Sequence, residues 1–198
     1  MDNNTKTQGL RLSAVARPAG DLLLLLCAVP GLLRSFLSLY NYADSEAILL
    51  ASFIPPDLVF CDWRLLTRLA VLFALAALLI WSLPRFRWAA ASVSLAAILT
   101  TAFRHRAEVV TGAKLAFQQA ANLVIQQMAW DFSVDSVVSL SWDERTAVTL
   151  FLALALAALA LLIGWAVVRA RRWWVVPLLT MPFLLPGLIA DLYPDWPA

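Results

Sequence analysis

Histidine occurs once in these 198 residues and cysteine twice, so few side chains are available for metal or nucleophilic chemistry. Cys27 and Cys61 fit no metal-ligand spacing. Cys27 lies inside an apolar run, where a thiol behaves as a small hydrophobe, and a disulfide to Cys61 would have to join mid-bilayer to a loop. There is no Gly-rich phosphate loop, no H-E-x-x-H and no paired carboxylates on an apolar stretch. Nucleophilic catalysis also needs a base within reach of the nucleophile. His105, in "RHR", has no cysteine or serine evidently set beside it in sequence. The chain therefore offers no catalytic, cofactor-binding or metal-binding residues, and it reads as a non-enzyme. Charge is scarce too: 14% of residues carry one, and the net charge of +2 is too small to suggest nucleic acid.

What is present is apolar surface. Hydrophobic residues make up 62% of the chain and mean hydropathy is +0.79, against roughly 45–50% apolar residues in soluble domains. Five stretches approach the ~20 residues that cross a bilayer: 21–39, 65–83, 88–103, 147–168 and 174–190. The fourth, "AVTLFLALALAALALLIGWAVV", has no charge, and "WSLPRFRW" supplies a tight turn between the second and third. The fifth is short and proline-rich, which predicts a kinked helix. The fold class is thus all-α, a polytopic helical membrane bundle.

Arginine placement orients it. Lys6, Arg11 and Arg17 precede the first span, Arg85 and Arg87 follow the second, and Arg169, Arg171 and Arg172 follow the fourth. With five spans these segments share one face, and only Asp2 and the boundary residue Asp21 among the 13 acids accompany them. The expected topology has a basic cytoplasmic segment at 1–20 and a short external tail at 191–198. The first apolar stretch exceeds the ~7–15 residues of a signal peptide and lacks an A-x-A site, so it should remain attached.

The longest connection contains an amphipathic segment, 107–130. Glu108, Thr111, Lys114, Gln118, Asn122 and Gln126 recur at helical spacing, and Val110, Phe117, Ala121, Val124 and Met128 follow on another side. This predicts an external helix lying in the interface or over the bundle. A sixth crossing would place Glu108, Lys114 and several glutamines near lipid and move "RARRW" outside. The stretch 47–56, ending at Pro55-Pro56, is too short to cross and suggests an interfacial or re-entrant turn.

Arg34 is the one ionisable residue well inside a span, a position that by default suggests function. It lies close enough to the span end to snorkel outward, or it pairs with Asp44, Glu46 or Asp62. With Arg64, Arg68, Arg104 and Arg106 it forms a candidate polar collar on the outer face, to seat a partner domain or bind lipid phosphates. Gly164 with Ala153, Ala157 and Ala160 offers a small-residue face for helix packing, either to another subunit or within the chain's own bundle. The spans hold no acidic relay, repeated halves or polar stripe, which argues against a transporter.

Four stretches together resemble a known family: "GDLLLLLCAVPGLLRSFLSL" (20–39), "QQAANLV" (118–124), "LIGWAVVRARRWW" (162–174) and "LLPGLIADLYPDWPA" (184–198). They are similar to the N-terminal membrane region of bacterial transglutaminase-like membrane proteins, particularly those of Firmicutes. The resemblance covers most of the chain from Gly20 onward, apart from 41–63. In that family a helical bundle anchors an external domain with a papain-like Cys-His-Asp triad, whose chemistry is acyl transfer or peptide hydrolysis through a cysteine thioester. Neither Cys61 nor His105 lies in such a motif, so the resemblance implies an anchor without the catalytic domain. Its expected partners are the bilayer and a downstream or separately encoded transglutaminase-like domain. The expected location is the bacterial cytoplasmic membrane. Members of the family continue past "PDWPA" into a further apolar helix, which implies that this text is a truncated or separately encoded N-terminal part. The alternative is a stand-alone membrane interaction subunit.

Overall fold

A computed structural model describes residues 4–40, 61–127, 141–172 and 174–189. The stretch 47–56, residues 128–130 and the tail 191–198 lie outside the described residues, as do Asp44 and Glu46. Among the described residues every regular element is helical. The helices are α1 (Asn4–Leu39), α2 (Trp63–Ser82), α3 (Arg87–Arg104), α4 (Arg106–Gln127), α5 (Trp142–Gly164) and α6 (Val175–Ile189). A π-helical segment, Trp165–Ala170, continues α5.

Among the described residues three stretches are long and apolar enough to cross a membrane: Ala19–Leu39, Trp63–Ser82 and Asp143–Ala170. The 18 residues of α3 and the 15 of α6 are shorter, against ~30 Å of hydrocarbon at ~1.5 Å rise per residue. α1 is the outlier in length. Its 36 residues measure about 54 Å at the same rise, so the basic segment before Ala19 is helical and continuous with the apolar part. It runs through Pro18 and Pro30, each of which removes one amide donor.

The three longest apolar stretches also make the core. α2 buries Leu66, Ala70, Ala74, Ala77 and Trp81, one stripe at helical spacing. α5 and its π continuation bury Val148, Leu152, Leu156, Ala160, Ile163 and Val167 on another, and α1 contributes Leu25, Val29, Leu33 and Leu37. α3 buries nothing. Its Val93, Leu99 and Phe103 are exposed, as are Leu72 and Leu79 of α2. Exteriors this apolar suit lipid, in which burying leucine gains little because lipid tails are equally apolar. Helix association then depends on close packing of small residues and on polar contacts between helices.

Two glycines provide that closeness. At Gly164 an added Cβ would lie 2.9 Å from the Ala77 Cβ and 3.0 Å from Trp81 Cδ1. The Trp81 indole N–H donates to the Leu161 carbonyl at 3.0 Å and its ring meets Trp88 edge-on at 5.4 Å. Gly164 and Ala160 (1% exposed) are therefore spent within the chain's own bundle. They do not form an open face for another subunit.

At Gly112 an added Cβ would collide with the Ala147 carbonyl oxygen, and Ala116, one turn on, is buried. Phe117 meets Phe151 at 6.2 Å between ring centroids. Residue 112 thus meets 147 and residue 117 meets 151, so α4 and α5 run side by side in the same direction along this stretch, and α4 does not lie across the tops of the spans there, as one form of the expectation had it. The small face of α4 makes this contact. The apolar face expected from the periodicity takes part only at its edge, through Phe117: Val110 is 68% and Phe117 70% exposed, and Ala121 is exposed. α4 has three faces, because glycine and alanine, weak signals in a hydropathy pattern, allow the closest approach of two backbones.

Candidate functional site

Polar groups gather where α2 and α5 begin. Ser141 and Glu144 form a capping box at the start of α5: the Ser141 N–H donates to Glu144 Oε2 at 2.8 Å, and the Glu144 N–H donates to Ser141 Oγ at 3.4 Å. Asp143 and Glu144 both lie in the first turn of α5, where the helix dipole favours carboxylates. Asp62 caps α2, its Oδ1 accepting from the Leu65 N–H at 3.0 Å. The Asp62 N–H in turn donates to Thr149 Oγ1 at 3.0 Å, while the Thr149 hydroxyl donates to the Arg145 carbonyl at 2.8 Å. A buried threonine thereby joins the start of α2 to the second turn of α5.

Beside this junction Cys61 is completely buried. Burial, reinforced by the Asp62 carboxylate and opposed by Arg145, pushes its thiol from 9.0 up to about 12. The Nε of Arg145 is buried without a hydrogen-bond partner among the described residues. Because the thiolate is the nucleophile, Cys61 should resist a water-soluble maleimide at pH 8 and react once detergent unfolds the chain. The same shift has a consequence for folding. Between pH 9.0 and about 12 the unfolded state binds fewer protons than the folded one, so stability falls as pH rises through that window. Cys27 lies exposed on α1, and no disulfide joins it to Cys61.

The five arginines of the expected collar are all exposed: Arg34 on α1, Arg64 and Arg68 in the first two turns of α2, Arg104 at the end of α3 and Arg106 at the start of α4. The Arg64 guanidinium lies 5.5 Å from the centre of the Trp63 ring. Among the described residues none of the five forms an ion pair, and the structure records no contact that gathers them into one site. His105 Nδ1 lies 3.1 Å from Glu108 Oε2, across the turn from α3 to α4. That contact is exposed and local. No group of His, Cys, Asp and Glu among the described residues is arranged to hold a metal ion.

The junction of Cys61, Asp62, Arg145 and Thr149 was not singled out by sequence reasoning. The S-x-x-E pattern at 141–144 was the one available signal, because it marks a helix start. Nothing in sequence pairs residue 62 with residue 149. No protein-family description matches the chain, and no curated protein or solved structure matches it.

Proposed function

We propose that the chain is a membrane anchor or scaffold of five spans, with its N-terminus in the cytoplasm and its C-terminus outside, in a bacterial cytoplasmic membrane. The observation that carries this reading is the combination of a tightly packed three-helix core with an outward surface of leucine, valine and phenylalanine. A bundle locked by Gly164 on Ala77 and by Thr149 on Asp62 keeps its ends in a fixed relation, which suits holding a partner at a membrane surface. α3 and α6 supply the third and fifth of these spans. Positive-inside placement of Arg85, Arg87, Arg169, Arg171 and Arg172 supplies the direction.

The partner proposed on the resemblance is an external transglutaminase-like domain, continuous with this chain or encoded beside it. The exposed arginines at the starts of α2 and α4 lie on the face where it would sit. The test uses the native protein in membranes of its own host, detected through the N-terminal segment after photo-cross-linking from positions 64 and 106. Peptides of a Cys-His-Asp transglutaminase-like domain in the same band support the reading. A band near 21.8 kDa that cross-links only to lipid or to unrelated helical subunits overturns it.

A further inference from the structure

The opposite end of the bundle carries a different charge pattern. Trp81 binds the Leu161 carbonyl, packs on Gly164 and touches Trp88. These three contacts bring the turn at 83–86 to the same end as the π segment. Arg85 and Arg87 therefore share that end with Arg169, Arg171 and Arg172. Arg87 is half-buried and the other four are exposed. Among the described residues Asp62, Glu108, Asp143 and Glu144 belong to the other end, where the starts of α2, α4 and α5 meet. Asp21 remains, at the start of the apolar part of α1, and it makes no ion pair with any of the five arginines among the described residues. Trp88, Trp165 and Trp174 fringe this end with exposed indoles, the amphipathic rings that settle at headgroup depth.

The backbone here is unusual as well. Arg171 is the one described non-glycine residue with positive φ, at φ 51 and ψ 34. The N–H groups of Arg171 and Arg172 both donate to the Ala166 carbonyl. A left-handed residue closing a helix is ordinarily glycine, which adopts that conformation without a Cβ penalty. An arginine held there is a local cost that points to use of its side chain. Carboxylate and phosphate both match the geometry of a guanidinium fork, and at a membrane surface the abundant anion of this kind is lipid phosphate.

We propose that this end of the bundle, built from Arg85 and Arg87 and from Arg169, Arg171 and Arg172, is a binding site for the headgroups of anionic phospholipids. It requires that the chain sits in a membrane, and it is independent of any partner domain. Free phosphate shares the chemistry, but five arginines spread along a tryptophan-lined rim fit headgroups fixed in a plane.

The experiment compares retention of phosphatidylglycerol with that of phosphatidylcholine by the full chain in mild detergent, read by native mass spectrometry. Phosphatidylglycerol should be retained roughly ten-fold more strongly, and less so at high salt. Combining Arg85→Gln, Arg169→Gln and Arg172→Gln should abolish the preference, whereas Lys114→Gln, at an exposed position on α4 towards the other end, should leave it unchanged. Arg171→Gly separates charge from folding, because it should lower retention while raising the unfolding temperature. Equal retention of the two lipids overturns the proposal, as does an equal loss from changes at either end. Displacement of phosphatidylglycerol by millimolar inorganic phosphate also overturns it, since the site would then be one for the free ion.

Discussion

Gly112→Leu separates α4 from α5. The Cβ of any residue at this position meets the Ala147 carbonyl oxygen, the Ala147 carbonyl carbon and the Val148 nitrogen, which are all backbone atoms. A backbone in mid-helix cannot rotate aside as a side chain can, so the helices must move apart bodily. Doing so also opens the contact at Ala116 and the Phe117–Phe151 pair. Overpacking costs about 1–3 kcal/mol when side chains absorb it and more when they cannot. Gly112→Leu is expected at or above about 3 kcal/mol, a fall of roughly 10 °C in the unfolding midpoint for a chain of this size. Even Gly112→Ala should be destabilising, although alanine is the better helix former by about 1 kcal/mol. Thermal unfolding in detergent checks both; an alanine variant as stable as the parent would show that α4 does not pack as described.

Gly164→Leu should have the second-largest effect. Here the obstacles are side chains, the Ala77 methyl and the Trp81 indole. Trp81 can yield, but only by giving up its hydrogen bond to the Leu161 carbonyl, which leaves a buried donor unpaired at about 1–3 kcal/mol. The expected loss is about 2–3 kcal/mol. The same geometry predicts coupling: Gly164→Ala should be partly rescued by Ala77→Gly, because removing the facing methyl restores the space. A double-mutant cycle measures this, and strict additivity would place the two residues out of contact.

The comparison of these glycines shows which parts of the fold were legible in the sequence. Among the described residues helices occupy most of each of the five stretches expected as spans, with ends within a few residues for most, because each is bounded by arginine, tryptophan or a turn such as "LPRF". Trp63–Ser82, for example, is the helix expected at 65–83. Gly164 was recognised as a packing residue, though which helix it packs against depends on tertiary structure. Gly112 was not, because the periodic signal of α4 comes from its polar residues and its larger apolar ones. The face that packs is marked by smallness, which hydropathy does not weigh.

The candidate site was less legible. The collar rests on charge placed at span ends, a one-dimensional criterion, and its five arginines are exposed on four different helices, with Arg64 and Arg68 sharing α2. The Asp62–Thr149 link spans 87 positions in sequence and has no periodic or motif signature. The π segment and the left-handed Arg171 were equally hidden, since "WAVVRA" continues the apolar pattern of α5 without a glycine or proline to mark the change. Backbone geometry at the end of a helix is set by how the next element docks.

Membrane topology is the claim on which the anchor reading rests, and cysteine accessibility tests it most directly. In a chain with Cys27 and Cys61 replaced by alanine, single cysteines are placed at Lys6, Arg85, Arg169, Glu108, Asp143 and Ala198. Each is probed with a membrane-impermeant maleimide on intact cells and again after permeabilisation. Five spans with a cytoplasmic N-terminus predict that positions 108, 143 and 198 label on intact cells, and that 6, 85 and 169 label only after permeabilisation. Labelling of position 169 on intact cells, with 143 protected, would mean that α5 runs the other way and would contradict the account.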